Sequence, residues 1–307
     1  MNQKAQINFL VIILFQSVLV CQSIPFFDAN KAYEYIVKQC EMGPRYPSSI
    51  GHQNFSKYLK DFLSSKKADT LIVYDHLVDH PYLDKDITLY NFLLRYNLNL
   101  SNRIMLMAHW DTREIADKDP NPENHNKPIL GANDGASGTA VLMVLAEIIE
   151  NNTLDNIGID LLFIDGEDMG RSGDTENYCI GTTAFCEVIP DPIPNYAICI
   201  DMVADKNPIF PIEYFSYIQA PFIVNEIWSL ANELGYDEFQ KIFQGPIYDD
   251  HRALFLHSGI PAIDIIDFDY PYWHTLDDIP ENCSDKGLKI VGDVLCEYIY
   301  RKDYENK

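Results

Sequence analysis

The sequence predicts a three-layer α/β/α sandwich around a mixed, centrally parallel sheet, and three observations predict it. Short, nearly unbroken apolar runs recur, among them "RIMLMAHW", "GIDLLFID", "NYAICIDM" and "PAIDIIDF". Strands covered on both faces need no alternation of apolar and polar positions, and parallel sheets lie between two helical layers. Stretches of helical character separate the runs, at residues 136–150, 219–234, 250–258 and 286–301, which is the pattern of successive βαβ units. The third observation is that His and acidic residues follow the ends of the runs, where ligands bind in open α/β sheets.

At the N-terminus, Lys4 and the apolar stretch Ile7–Val20 make residues 1–23 a secretory signal, too short to span a bilayer. A secreted or periplasmic, cell-envelope location without stable membrane insertion is therefore expected. Cys21 admits a lipid anchor, disfavoured because Val20 stands where a small residue is needed. Asp28 caps a helix over Ala29–Cys40, whose Tyr33, Ile36, Val37 and Cys40 share one face. "GPRYPSS" breaks the chain before a second helix around His52–Ser64. The runs "DTLIVYD" and "ITLYNFLLRY" add two further strands. No repeat or linker interrupts the remainder of the chain, so residues 24–307 are read as a single catalytic domain.

Composition supports a large core and narrows the partners. Of 307 residues 47% are hydrophobic and 12% aromatic, which excludes global disorder. The formal net charge of −23, from 46 acidic against 23 basic residues, argues against nucleic acid or an anionic membrane and favours cationic ligands. The cysteines beyond Cys21 are irregularly spaced, with no CxxC, and are expected as buried thiols rather than a disulfide framework.

"FIDGEDMG" crowds Asp165, Glu167 and Asp168 at the end of one apolar run. Carboxylates so close repel one another, so either water or a cation must stabilise them. His109 and Asp111 end another run, Asp201 ends a third, and Trp273-His274-Thr275 follow a fourth. Asp134 in "GANDGASG" and Asp249-Asp250-His251 open helices. Singly, each has an ordinary reading: Asp134 as a helix N-cap, a lone His as a hydrogen-bonding core residue, an acidic triplet as solvated loop. Together, imidazole and carboxylates delivered to one edge suit a zinc site with an open coordination position.

The ordered set "AHWD", "GANDGASG", "DGED", "IDMV", "DDH" and "WHT" resembles the zinc aminopeptidase-like peptidase family M28. Within that family, "DGED", "DDH" followed by "GIP", and Trp before "HT" are most similar to glutaminyl-peptide cyclotransferases (glutaminyl cyclases), over residue 28 to the C-terminus. The resemblance implies conversion of N-terminal glutamine of peptides or proteins to pyroglutamate with release of ammonia. It implies one zinc per chain on Asp134, Asp168 and His274, with Glu167 as general acid/base. Asp201 and Asp249 would hydrogen-bond around Glu167 and the substrate amine, and Trp273 would form an aromatic wall. Asp165 has no counterpart and is read as turn chemistry or support behind the site. Two departures from the animal enzymes stand out: Asp168 occupies the position of a metal-binding Glu, and "MGRSGDTENY" lacks a tryptophan of the pocket wall.

A rival within the family is a two-zinc aminopeptidase, in which His109 and Asp201 join a second metal and Asp134 bridges. A rival of another class is a non-catalytic binding protein on the same scaffold, whose sign would be a lost ligand or base. None is lost. A monomer is expected.

Overall fold

The computed structural model describes residues 24–306. The expected signal at residues 1–23 and the anchor candidate Cys21 lie outside the described residues. Among those described, no helix is long and apolar enough to cross a membrane.

The strands are β1 (Thr70–Asp79), β2 (Asp86–Tyr96), β3 (Arg103–His109), β4 (Gly158–Ile164), β5 (Tyr196–Asp201), β6 (Phe210–Ile212), β7 (Phe239–Phe243) and β8 (Ala262–Ile266). Six of them form the main sheet in the order β1-β2-β4-β3-β5-β8. β4, β3, β5 and β8 are parallel neighbours, and the β1–β2 hairpin joins antiparallel through β2 and β4. This is the mixed, centrally parallel sheet the sequence predicts.

The helices are α1 (Ala29–Glu41), α2 (Ile50–Ser64), α3 (Ala136–Asn151), α4 (Ile180–Cys186), α5 (Tyr214–Gln219), α6 (Pro221–Glu233), α7 (Asp250–Ser258) and α8 (Asp285–Glu305). Leu106, Leu161 and Ile198 pack toward the core shared with α1, α2, α3, α6 and α8. Their strand neighbours Met107, Leu162 and Cys199 pack the other way, against Phe185 of α4 and Leu254 of α7. Both faces are thus apolar, which is why the runs are unbroken.

Caps set the helix starts. Asp28 accepts from Lys31 N at 3.1 Å, and Ser49 accepts from His52 N at 3.0 Å, so α2 begins two residues before its expected start. The helix expected over 219–234 is α6, which Pro221 opens because it has no N–H to donate; Ala220 separates it from the six-residue α5, which was not expected. The seven-residue α4 and the two-stranded β6–β7 sheet were not expected, since elements so short leave no readable period. All six described cysteines are free, and only Cys186 is less than buried, as their irregular spacing predicts.

Two charged devices fasten the scaffold. Asp160, inside β4, sits between Arg95 and Arg103, accepting from both guanidinium groups at 2.7–3.2 Å with all three side chains buried. Arg45 of "GPRYPSS" is buried and donates to the carbonyls of Trp110, Leu130 and Gly131 at 2.9 Å each. It thereby ties the N-terminal segment to the two loops that carry Asp111 and Asp134.

Candidate active site

Five chain segments deliver their polar ends to one edge of the sheet. The approach of α3 to that edge depends on glycine. A Cβ on Gly135, at φ +95°, would lie 2.3 Å from Asp111 O, and one on Gly138 would lie 2.0 Å from Ile200 O. Gly135, not Asp134, occupies the N-cap position of α3, and no side chain caps that helix. Asp134 is therefore free of the ordinary role considered for it. Its Oδ1 lies 3.3 Å from His109 Nε2 and its Oδ2 3.5 Å from His274 Nε2.

A pocket of about 200 Å³ opens at this edge, and Asp134, Glu167, Asp168, Asp201, Asp249, Trp273 and His274 all line it. Every residue assigned to a one-metal site or its chemistry is thus brought together. His109 sits behind the wall, with Nε2 3.2 Å from Asp201 Oδ1. Asp249 caps α7, where its side chain accepts from the N–H of Asp250. Trp273 stacks on His274 with ring centroids 3.9 Å apart, and Phe268 packs 4.8 Å from Trp273. The loop that lacks a tryptophan supplies Thr175 and Tyr178 to the wall instead. Three buried or pocket-lining residues, Cys179, Met202 and His274, hold left-handed backbone at φ 55°, 47° and 56°. Such strain persists only where surrounding structure enforces it, and it concentrates at functional sites.

Asp165 does not enter the pocket. Its Oδ2 accepts from Tyr90 N and meets His52 Nε2, both at 2.7 Å, so it anchors β2 and α2 beside the site. This matches the supporting role expected of it.

Ligand atoms of Asp134, Asp168 and His274 lie within 4.8 Å of one another, as do those of His109, Asp134 and Asp201. The first group fits a divalent metal well. His274 Nε2 faces Asp134 Oδ2 and Asp168 Oδ1 at 3.5 Å each, close to the roughly 3.3 Å that tetrahedral ligands about 2.0 Å from zinc would keep. Asp168 Oδ2 is buried with no hydrogen-bond partner, a costly state that a cation would relieve. His274 Nδ1 lies 3.2 Å from Asp117 Oδ1, an ion-pair contact without hydrogen-bond geometry, and Nε2 faces the two carboxylates.

The electrostatics are those of crowded buried acids. Burial raises the Glu167 carboxyl well above its ordinary range, and Asp168, Asp249 and Asp250 push it further. Burial likewise brings Asp168 to about 6 and Asp201 to about 7. Against burial, Asp111, Asp134 and Asp201 hold His109 well above the usual imidazole value. Asp117, also against burial, is held low by His274 and Arg113.

Sequence reasoning placed Asp111 at this edge without its role and missed the other supports. Arg113 donates to Asp168 Oδ1 at 2.6 Å and to Asp117 Oδ1 at 2.7 Å, linking two carboxylates of the metal group's surroundings. Asp111 accepts from the N–H groups of Glu167 and Asp168 at 3.1 and 3.3 Å, which sets the "DGED" turn. Asp278 does the same for Asn133 and Asp134, at 2.8 and 3.2 Å. The position of Arg113 two residues after "AHWD" was a readable signal for the first. Asp117 and Asp278 carried none.

Residues 91–299 match the family model for peptidase family M28, and the chain belongs to that family. Among solved structures it is similar to the glutaminyl cyclase of Tannerella forsythia, at 34% identity and TM-score 0.86, covering 90% of this chain and 99% of that one. The glutaminyl cyclase of Bacteroides thetaiotaomicron bound to N-acetylhistamine gives 33% identity and TM-score 0.84 over 91% and 99% of the two chains. A Zn-dependent exopeptidase from Parabacteroides distasonis gives 33% and 0.86 over the same shares. No curated protein matches the chain.

Proposed function

We propose that this chain is a zinc-dependent glutaminyl-peptide cyclotransferase that converts N-terminal glutamine of peptides or proteins to pyroglutamate. The carrying observation is the pocket of about 200 Å³, where a metal-fitting group of Asp134, Asp168 and His274 sits beside Glu167 and Trp273 and Phe268 line the wall. A space of that size suits one terminal residue folded back on its own amine, while an extended chain would have to leave through the mouth.

Zinc, when bound by those three side chains, supplies Lewis-acid polarisation of the γ-carboxamide carbonyl. Glu167 takes a proton from the α-amine as its nitrogen attacks the carbonyl carbon (Cδ) of the side-chain carboxamide. The C–N bond to the carboxamide nitrogen then breaks, and Glu167 returns the proton to the leaving ammonia. A carboxyl raised by burial is suited to both halves of this exchange, since it binds the proton firmly enough to hold it between them. Asp201 and Asp249 line the same wall and would accept hydrogen bonds from the amine. Because the reaction is intramolecular, positioning against Trp273 contributes much of the rate. Residues 1–23 would direct export, and the enzyme would act as a monomer.

The product distinguishes this reading from its rival. A Gln-started peptide should lose ammonia, about 17 Da, and keep its residue count. Mass spectrometry showing free amino acids and no pyroglutamate would replace the reading with a two-zinc aminopeptidase, which the grouping of His109, Asp134 and Asp201 within 4.8 Å would then serve. The ligand assignment has its own check. His274→Ala should release the zinc while the fold survives, and full zinc content in that variant by elemental analysis would move the site elsewhere.

A further inference from the structure

A patch of uncovered aromatic and aliphatic side chains adjoins the pocket, and the proposed mechanism uses none of it. Tyr214, Tyr217 and Ile218 share one face of α5 at i, i+3 and i+4, and Ile242 and Phe243 end β7; each is 41–62% exposed. Successive strand residues point to opposite sides, so exposure of both Ile242 and Phe243 leaves this end of β7 uncovered on either side. The two elements make one surface, because the rings of Tyr217 and Phe243 meet edge to face at 4.9 Å. Single exposed apolar residues are ordinary, whereas a contiguous group marks an interaction site.

The patch is continuous with the pocket wall. Just past β7 the chain reaches Pro246, Ile247 and Tyr248, which line the pocket. Gln244 N donates to Ile212 O at 2.8 Å and Ile247 N to Glu213 Oε1 at 3.0 Å, and the same Glu213 caps α5. The wall segment is thereby fastened to the start of the helix that carries Tyr214 and Tyr217. Phe243 stands three residues before Pro246, at most about 11 Å of chain. A peptide held by its first residue in the pocket spans that gap with its next three or four, at roughly 3.3 Å each. The chemistry of the occupant follows from charge: residues 214–225 and 239–248 contain no acidic side chain in a chain with 46, and Lys241 adds a positive one. Such a surface does not attract a cationic segment; it suits uncharged apolar side chains.

We propose that Tyr214, Tyr217, Ile218, Ile242 and Phe243 bind the apolar stretch of the peptide substrate beyond its second residue, so that the enzyme selects peptides with aromatic or aliphatic side chains at positions three to six. Because the first residue is already held, contact with the patch is intramolecular and adds to affinity without a second association cost. That the first residue is glutamine rests on the cyclase reading; the downstream surface does not.

Three amides compared on the zinc-loaded protein decide: Gln-Ala, Gln-Ala-Phe-Leu-Phe-Leu and Gln-Ala-Ser-Asn-Ser-Asn. The apolar hexapeptide should show a KM lower than that of the polar one on the order of tenfold, with kcat equal, since the patch holds ground and transition states alike. Joint replacement Tyr217→Ser and Phe243→Ser should erase that difference and leave turnover of Gln-Ala amide unchanged. Equal KM for the two hexapeptides in the unmutated protein overturns the proposal, and so does a difference that survives the joint replacement. A dimer in sedimentation velocity that the joint replacement dissociates, with peptide discrimination intact, gives the patch to a second copy instead. If circular dichroism shows the double variant unfolded, Ile218→Ser is read by the same ratio. Absence of ammonia from all three amides would end the cyclase reading alone. Fluorescence anisotropy of the two labelled hexapeptides then decides: the apolar one must bind on the order of tenfold tighter, and equal affinity overturns the surface.

Discussion

Glu167→Gln is expected to keep its zinc and its fold and to lose turnover by 10²-fold or more, the usual scale for removing a general base. The amide has nearly the shape of the carboxyl, and Glu167 lies outside the metal-fitting group of Asp134, Asp168 and His274. The backbone N–H of residue 167 still donates to Asp111 Oδ1 at 3.1 Å, so the turn that places Asp168 is undisturbed. What disappears is the carboxylate proposed to take the proton and return it. The loss should fall on kcat rather than on KM, because the interaction is made in the transition state. A variant retaining more than about a tenth of the wild-type rate would remove Glu167 from the mechanism.

The second large effect concerns stability. Asp160→Ala is expected to cost about 3–5 kcal/mol, because it leaves two buried guanidinium groups without their counter-charge. Arg95 would still reach the carbonyls of Pro190, Asp191 and Pro192, and Arg103 those of Tyr96, Asn97, Leu100 and Ile159. Those bonds satisfy donors and neutralise no charge. At about 2–4 °C per kcal/mol, the scale for somewhat shorter chains, the melting temperature should fall by roughly 6–20 °C. Calorimetry checks it, and a cost below about 1 kcal/mol would show that solvent or the carbonyls suffice. Replacing Asp160, Arg95 and Arg103 together by apolar residues should recover much of the loss.

The pattern of the chain was enough to place the six strands of the main sheet and to carry His and acids to one of its edges. Unbroken runs such as "RIMLMAHW" mark strands packed on both faces, and the residues just past such a strand must emerge at the rim. Asp134, Glu167, Asp168, Asp201, Asp249, Trp273 and His274 were legible for that reason, aided by the family resemblance. Other features depended on partners far along the chain, which no local period records. Arg113 meets Asp168 across 55 positions, Asp278 meets the Asp134 backbone across 144, and Arg95 meets Asp160 across 65. Asp134 reads locally as a helix cap, and only the seating of Gly135 against Asp111 O releases its side chain toward His109 and His274. An acid next to a strand end can thus be read from sequence. Which of its oxygens stays unpaired, and so available to a metal, is decided by the neighbours that folding brings beside it.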